Sequence, residues 1–253
     1  MIISQTTARM TFGSLFSGIG GLDLGLERAG MECRFQVEND PYCNKVLAKH
    51  WPEVRRYGDI KTIDWKGVEH VDLICGGFPC QPVSLAGKHR GQEDERWLWP
   101  DFANCVRILR PQFVLVENVP GLLAVGMADV LCNLAALRYD VEWDCIRASD
   151  FGAPHERERI YLVAHSNKVD GQAGVGDKPD GATALFTGGS RVCADIWLQT
   201  TSRFAGVGDG LPARVYQRRV EQLGNAVVPQ VAEWIGKRIC DRDEADDEHG
   251  KGR

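Results

Sequence analysis

The chain has 253 residues, 43% hydrophobic and 26% charged, with a formal net charge of −5, a composition ordinary for one large α/β domain or for a domain with a small lobe. Its apolar runs fall short of the ~20 residues that cross a bilayer, and the opening MIISQTTARM lacks the charged-then-apolar order of a secretory signal. Nine scattered cysteines without a C-x-x-C pair support neither a zinc ribbon nor a disulfide framework, so a reducing cytoplasm is the expected location and no metal is expected.

Predicted elements alternate through residue 165. TFGSLF (11–16) reads as a strand, and GLDLGLERAG (21–30) has helical spacing with Gly30 as its stop. ECRFQVE (32–38) is strand-like, and DPYCNKVLAKH (40–50) is a helix with Asp40 as cap and Pro41 at its first position. VDLICG (71–76) and FVLVEN (113–118) are short, apolar and β-branched, as buried parallel strands are. MADVLCNLAALRY (127–139) is amphipathic, and YDVEWDCIRA (139–148) and RIYLVAH (159–165) read as two further strands. This alternation predicts a doubly wound, mostly parallel α/β sheet.

Residues 166–210 are rich in Gly, Ser, Thr and Asp, which predicts a long loop or a small irregular lobe, and 166–219 is set apart as a short segment between a domain of 1–165 and its completion at 220–240. NAVVPQVAEWIGKRI (225–239) is a terminal helix after Pro229. DRDEADDEHG (241–250) holds six acids against one arginine, −5 by itself, so 241–253 is expected to be a solvated, disordered tail. With the tail set aside the body is near neutral, and its basic runs at 88–90, 155–159 and 214–219 read equally well as solvated faces.

Chemistry concentrates where predicted strands end. The first strand runs into FSGIGG, glycines that let backbone approach a ligand near a helix N-terminus. The dinucleotide fingerprint G-x-G-x-x-G fails, because Asp23 stands where the third glycine belongs, which disfavours a nicotinamide dehydrogenase. Glu38 closes the next strand 18 residues after Gly20, where an acid can meet ribose hydroxyls, and the pair favours a nucleoside-containing cofactor. Asp59, Cys80 and Glu117 also follow or close strands, at the sheet edge where open α/β folds bind ligands. Packing alone could account for a lone cysteine. A thiol converging with a glycine loop and two acids favours a positioned nucleophile.

FSGIGG, GGFPCQPVS (76–84), RWLW (96–99), ENVPGLL (117–123) and GNAVVPQ (224–230) occur in an order, and with a content, that resembles the DNA cytosine-5 methyltransferases of bacterial and phage type. The resemblance implies a Rossmann-like, S-adenosylmethionine-dependent fold and covers nearly the whole chain. It implies thiolate attack by Cys80 on carbon 6 of a cytosine flipped from the duplex, with Glu117 at ring N3 and the exocyclic amine. Carbon 5 then takes the methyl, S-adenosylhomocysteine is the product, and loss of the carbon-5 proton expels the thiol. Phe16, Gly18, Ile19, Gly20, Glu38, Asp59, Ile60, Pro79, Leu98, Asn225 and Val227 are similar to cofactor-contacting positions, Glu38 for the ribose and Asp59 for the adenine amine. Arg157 and Arg159 resemble the arginines of a Q-x-R-x-R motif that support the cytosine and its phosphate.

His155 stands where that motif has glutamine and is assigned no chemistry. Only 64 residues separate Arg159 from Gly224, so the recognition lobe is minimal. Its candidate base readers are chiefly Asn167, Lys168, Lys178, Arg191, Gln199 and Arg203, and nine glycines in 166–210 suggest ordering on DNA. A short or degenerate site of about two to four base pairs is expected, with affinity dominated by phosphate contacts. The implied partner is double-stranded DNA, met by a cytoplasmic monomer (in host cytoplasm if phage-encoded) within restriction–modification. The alternatives are the same chemistry on transfer RNA, and a non-catalytic cofactor- or DNA-binding remnant. Retention of Cys80, Glu117 and both arginines argues against the remnant.

Overall fold

The computed structural model describes residues 9–79, 97–167, 185–186 and 222–250. Cys80, the loop from it to Arg96, and Lys168, Lys178, Arg191, Gln199 and Arg203 lie outside the described residues.

Five strands run parallel: β1 (Thr11–Leu15), β2 (Glu32–Val37), β3 (Arg55–Tyr57), β4 (Leu73–Gly76) and β5 (Phe113–Asn118). β6 (Tyr139–Arg147) and β7 (Glu158–Ser166) form an antiparallel pair, and β7 also runs antiparallel to β5. The spatial order is β3-β2-β1-β4-β5-β7-β6, so the sheet is mixed but mostly parallel. Every residue of β4 and β5 is buried, as their unbroken apolar sequences demand of central strands.

The helices are α1 (Gly21–Arg28), α2 (Pro41–His50), α3 (Trp99–Leu109), α4 (Leu122–Val125), α5 (Met127–Ala136) and α6 (Pro229–Gly250). Strand side chains alternate between two cores. Phe113 and Leu115 join Leu22 and Leu26 of α1 and Val231, Ile235 and Ile239 of α6 on one face. Val114 and Val116 meet Trp99 and Phe102 of α3 and Val130 and Leu134 of α5 on the other. Helices α1 and α6 approach so closely that a Cβ on Gly25 would lie 2.4 Å from the Ala232 Cβ and 2.5 Å from the Pro229 carbonyl. Among the described residues no helix is long and apolar enough to cross a membrane.

The expectation of a disordered acidic tail is corrected here. Helix α6 continues through Gly250, well past residue 240. The β5–β7 end of the sheet supplies complementary groups to its acidic stretch. Gln112 Nε2 donates to Asp243 at 2.6 Å, Arg242 pairs with Glu142 of β6 at 2.7 Å, and His165 Nε2 lies 3.2 Å from Asp246. Positions 242, 243 and 246 fall on one helical face, and that face of the stretch meets the sheet while Asp241 and Glu244 stay exposed.

Candidate active site

At the C-terminal ends of the parallel strands the chain turns through Phe16, Gly18 and Gly20, all with left-handed φ (54°, 56° and 85°). A left-handed phenylalanine is uncommon and persists only where its surroundings hold it. Here Ser17 N donates to the Val37 carbonyl at 3.1 Å, and Gly18 N donates to Glu38 Oε2 at 2.7 Å. The other carboxylate oxygen of Glu38 accepts from Asp40 N at 2.7 Å, and Asp40 in turn caps α2 by accepting from Tyr42 N and Cys43 N. One carboxylate thus fixes both the loop after β1 and the start of α2.

Beneath this loop lies Asp23, in the first turn of α1 and fully buried. It accepts from Ser14 Oγ of β1 at 3.0 Å and from Gln36 Nε2 of β2 at 2.8 Å. Burial pushes its carboxyl up from 3.8 to about 6, against the lowering effect of those two hydrogen bonds. Sequence reading registered Asp23 only as a missing glycine. Its work as a cross-brace between helix and sheet becomes visible through the alternation of β1 and β2, which points Ser14 and Gln36 toward α1.

Glu117 occupies the penultimate position of β5, paired in register with Tyr161 of β7. Strand periodicity of two places Tyr161 and Arg159 on the same sheet face, and Arg157 stands just ahead of the strand. Arg159 Nε lies 3.3 Å from Glu117 Oε1, yet that oxygen is buried without a hydrogen-bond partner, so the two groups make an ion contact rather than a formed hydrogen bond. Burial raises the Glu117 carboxyl above its ordinary range, opposed by the charges of Arg159 and then Arg157. Glu117 Oε2 stands 2.8 Å from where a Cβ on Gly77 would lie, so only glycine at 77 leaves the carboxyl its place. Pro79, half-buried, is the last described residue before Cys80.

A short helical turn over 222–225 and the residues after it return to this edge. Arg157, at φ 33°, donates from its guanidinium to the Gly224 carbonyl, and the Cys43 thiol donates to Gln222 Oε1 at 3.0 Å. An open cleft of about 200 Å³ results. Of the residues expected to form a site, Phe16, Gly18, Ile19, Glu38, Glu117, Asn225 and Val227 line it, together with Gly77, Asp40, Cys43 and Gln222, which sequence reading did not assign to it. Gly20 is the N-cap of α1 beside it. Asp59, Ile60 and Leu98 are not part of this lining: Asp59 is exposed and accepts from Lys61 N at 3.0 Å, Ile60 is buried in the core, and Leu98 packs against that core. Among the described residues no cluster of His, Cys, Asp or Glu could hold a metal ion.

The cleft is lined by Glu38 and the loop after β1 and also by Glu117, one of whose oxygens is buried without a hydrogen bond. Glu38 spends one lone pair of each oxygen on a backbone N–H, and a carboxylate has further lone pairs for a ribose diol. These residues fit S-adenosylmethionine.

Comparison with known proteins gives the same direction. The chain is 35% identical over 166 residues to the type II methyltransferase M.HhaI of Haemophilus parahaemolyticus, covering 64% of this chain and 50% of that protein. It is 39% identical over 160 residues to M.NgoBI of Neisseria gonorrhoeae, covering 61% and 50%. The chain therefore spans about half the length of these curated relatives. A solved E. coli prophage protein, described as a DNA modification methyltransferase, superposes with TM-score 0.52 at 32% identity over 62% of this chain and 47% of that one. The Dnmt2 methyltransferase of S. pombe, at 21% identity and TM-score 0.54 over 70% of this chain and 59% of that one, shares the fold. The family model for C-5 cytosine-specific DNA methylase matches residues 10–183, and the chain belongs to that family.

Proposed function

We propose that this chain transfers a methyl group from S-adenosylmethionine to carbon 5 of cytosine in double-stranded DNA, acting as a monomer. The observation that carries this reading is Glu117: a buried carboxyl, raised in pKa, with an unfilled oxygen and two arginines, in the same cleft as Glu38 and the glycine loop. A carboxyl that holds its proton more readily can donate to a ring nitrogen while charge builds there. Glu117 would serve N3 of the cytosine, and Arg159, 3.3 Å from its Oε1, would keep it oriented.

Cys80 would add to carbon 6, making carbon 5 nucleophilic, and would leave again once the carbon-5 proton is lost. Phe16, Gly18, Ile19, Asn225 and Val227 would hold the cofactor and Glu38 its ribose. Asp59, Ile60, Pro79 and Leu98 would contribute from around that site, Asp59 toward the adenine amine. When bound, S-adenosylmethionine supplies an electrophilic methyl group on its sulfonium.

The test offers tritiated S-adenosylmethionine with duplex DNA, single-stranded DNA and bulk transfer RNA. Label in duplex DNA is expected. Label in transfer RNA alone would replace the substrate, and no label would sink the activity. Cys80→Ser should abolish turnover while leaving cofactor affinity within a few-fold, because a hydroxyl is far less ionised than a thiol. Denaturant-stable adduct formation on 5-fluorocytosine DNA by the unaltered chain checks the covalent step, since fluorine at carbon 5 blocks elimination.

A further inference from the structure

The segment 222–228 forms one wall of the cleft, contributing Gln222, Asn225, Ala226 and Val227 to its lining. Two side chains from elements outside the segment hold it. On the α2 side the Cys43 thiol donates to Gln222 Oε1, and Cys43 is 1% exposed. On the β7 side Arg157 donates to the carbonyl of Gly224, the residue immediately before Asn225. Arg157 reaches it from a left-handed backbone at φ 33°, directly ahead of the strand that pairs with the Glu117 strand. A left-handed non-glycine residue persists where its surroundings hold it, and this contact is one that does so.

We infer that Arg157 is a positioning residue for the cofactor wall, latching segment 222–228 shut through the Gly224 carbonyl. The latch stands on this geometry alone, and its effect on cofactor rests on the function proposed above. A guanidinium has five N–H donors in a planar fork, and the carbonyl takes one of them. The same group can therefore meet an oxygen of the nucleic acid while it holds the wall. Occupancy on one side then favours closure on the other, and such coupling is reciprocal.

The experiment uses the full chain with Arg157→Ala and Arg157→Lys, without DNA. One readout is the alkylation rate of Cys43 by N-ethylmaleimide, located by peptide mass spectrometry. The other is S-adenosylhomocysteine affinity by calorimetry. In the unaltered chain Cys43 is covered, and burial followed by the nearby Glu38 and Asp40 charges pushes its thiol up to about 12, so labelling should be slow. Loss of a hydrogen bond from a charged donor should speed Cys43 labelling about tenfold or more in Arg157→Ala and weaken S-adenosylhomocysteine by a similar factor. Lysine, which keeps the charge but loses the fork, should fall between.

Cys43 labelling at the unaltered rate in both variants would overturn the latch. A rise shared by the core thiols Cys75 and Cys105, both 0% exposed, would report general loosening and overturn it equally. Faster Cys43 labelling in a chain whose unaltered form binds no S-adenosylhomocysteine would uphold the latch and remove the cofactor reading.

Discussion

Glu38 and Glu117 face one cleft from strands three positions apart in the sheet, yet their surroundings give the same functional group two different conditions. Glu38 stands just past β2, where the backbone N–H groups of Gly18 and Asp40 fill one site on each of its oxygens. Glu117 lies inside a wholly buried strand, with one oxygen unfilled and Arg159 at 3.3 Å. The first carboxylate is engaged in holding the chain. The second is buried against Arg159 with an oxygen that makes no hydrogen bond. The cleft thus sets one glutamate engaged in positioning the chain against one with an oxygen that makes no hydrogen bond, the contrast on which the proposed chemistry depends.

Substitution of Glu117 should have the larger effect. Glu117→Gln is expected to lower the single-turnover methylation rate by ~10²–10⁴-fold, the usual contribution of a positioned general acid. Because burial raises its pKa, Glu117 keeps its proton to higher pH than an ordinary glutamate, and the rate should decline as pH rises through that raised value. The glutamine variant should lack that decline. An unchanged rate with a raised Michaelis constant would make Glu117 a binding group and erase the contrast with Glu38.

Asp23 tests what underlies the holding end. The folded chain keeps a proton on Asp23 between 3.8 and about 6 that the unfolded chain has released, so stability falls as pH rises through that window and the cost is constant above it. A shift of this size corresponds to about 3 kcal/mol. Urea unfolding from pH 5 to 7.5 should show Asp23→Asn gaining on the unaltered chain as pH rises toward 6. Parallel curves for the two proteins would show that the buried carboxyl is not the titrating brace.

Glu38→Ala should weaken S-adenosylmethionine by about ten- to a hundredfold, the loss expected for hydrogen bonds to a charged group. Glu38→Gln should recover part of this, since its amide oxygen can replace one acceptor while its NH₂ opposes a backbone donor. Calorimetry giving unchanged affinity for Glu38→Ala would show that the carboxylate serves the loop and not the ribose.

Sequence legibility followed burial. β4 and β5 declare themselves through unbroken apolar runs, and α2 through Asp40 and Pro41, because those signals are local. β3 is only Arg-Arg-Tyr at the sheet edge, three residues with neither apolar run nor alternation, and it takes its conformation from pairing with β2. Helix α3 was also missed, although Pro100 and Asp101 stand in its first turn, because its apolar face begins inside the RWLW motif. The acidic stretch of α6 misled for the opposite reason: it looks solvated until Gln112, His165 and Glu142 are seen to meet Asp243, Asp246 and Arg242. At the site, individual motifs named Glu38 and Glu117, but Asp23, Cys43 and Gln222 acquire meaning only from partners distant in sequence.

The Gly25 contact between α1 and α6 has a consequence for biosynthesis. Helix α1 leaves the ribosome about two hundred residues ahead of the helix that covers it. Until α6 emerges, Leu22, Leu26 and the sheet face beneath them have no α6 to exclude water. The wall from 222 to 228, which reaches the cleft just ahead of α6, is likewise absent from the nascent chain. Cofactor affinity should therefore arise only once residues 222–250 have left the ribosome. Ribosome-bound chains arrested before α6 should bind S-adenosylhomocysteine far more weakly than chains arrested well after it.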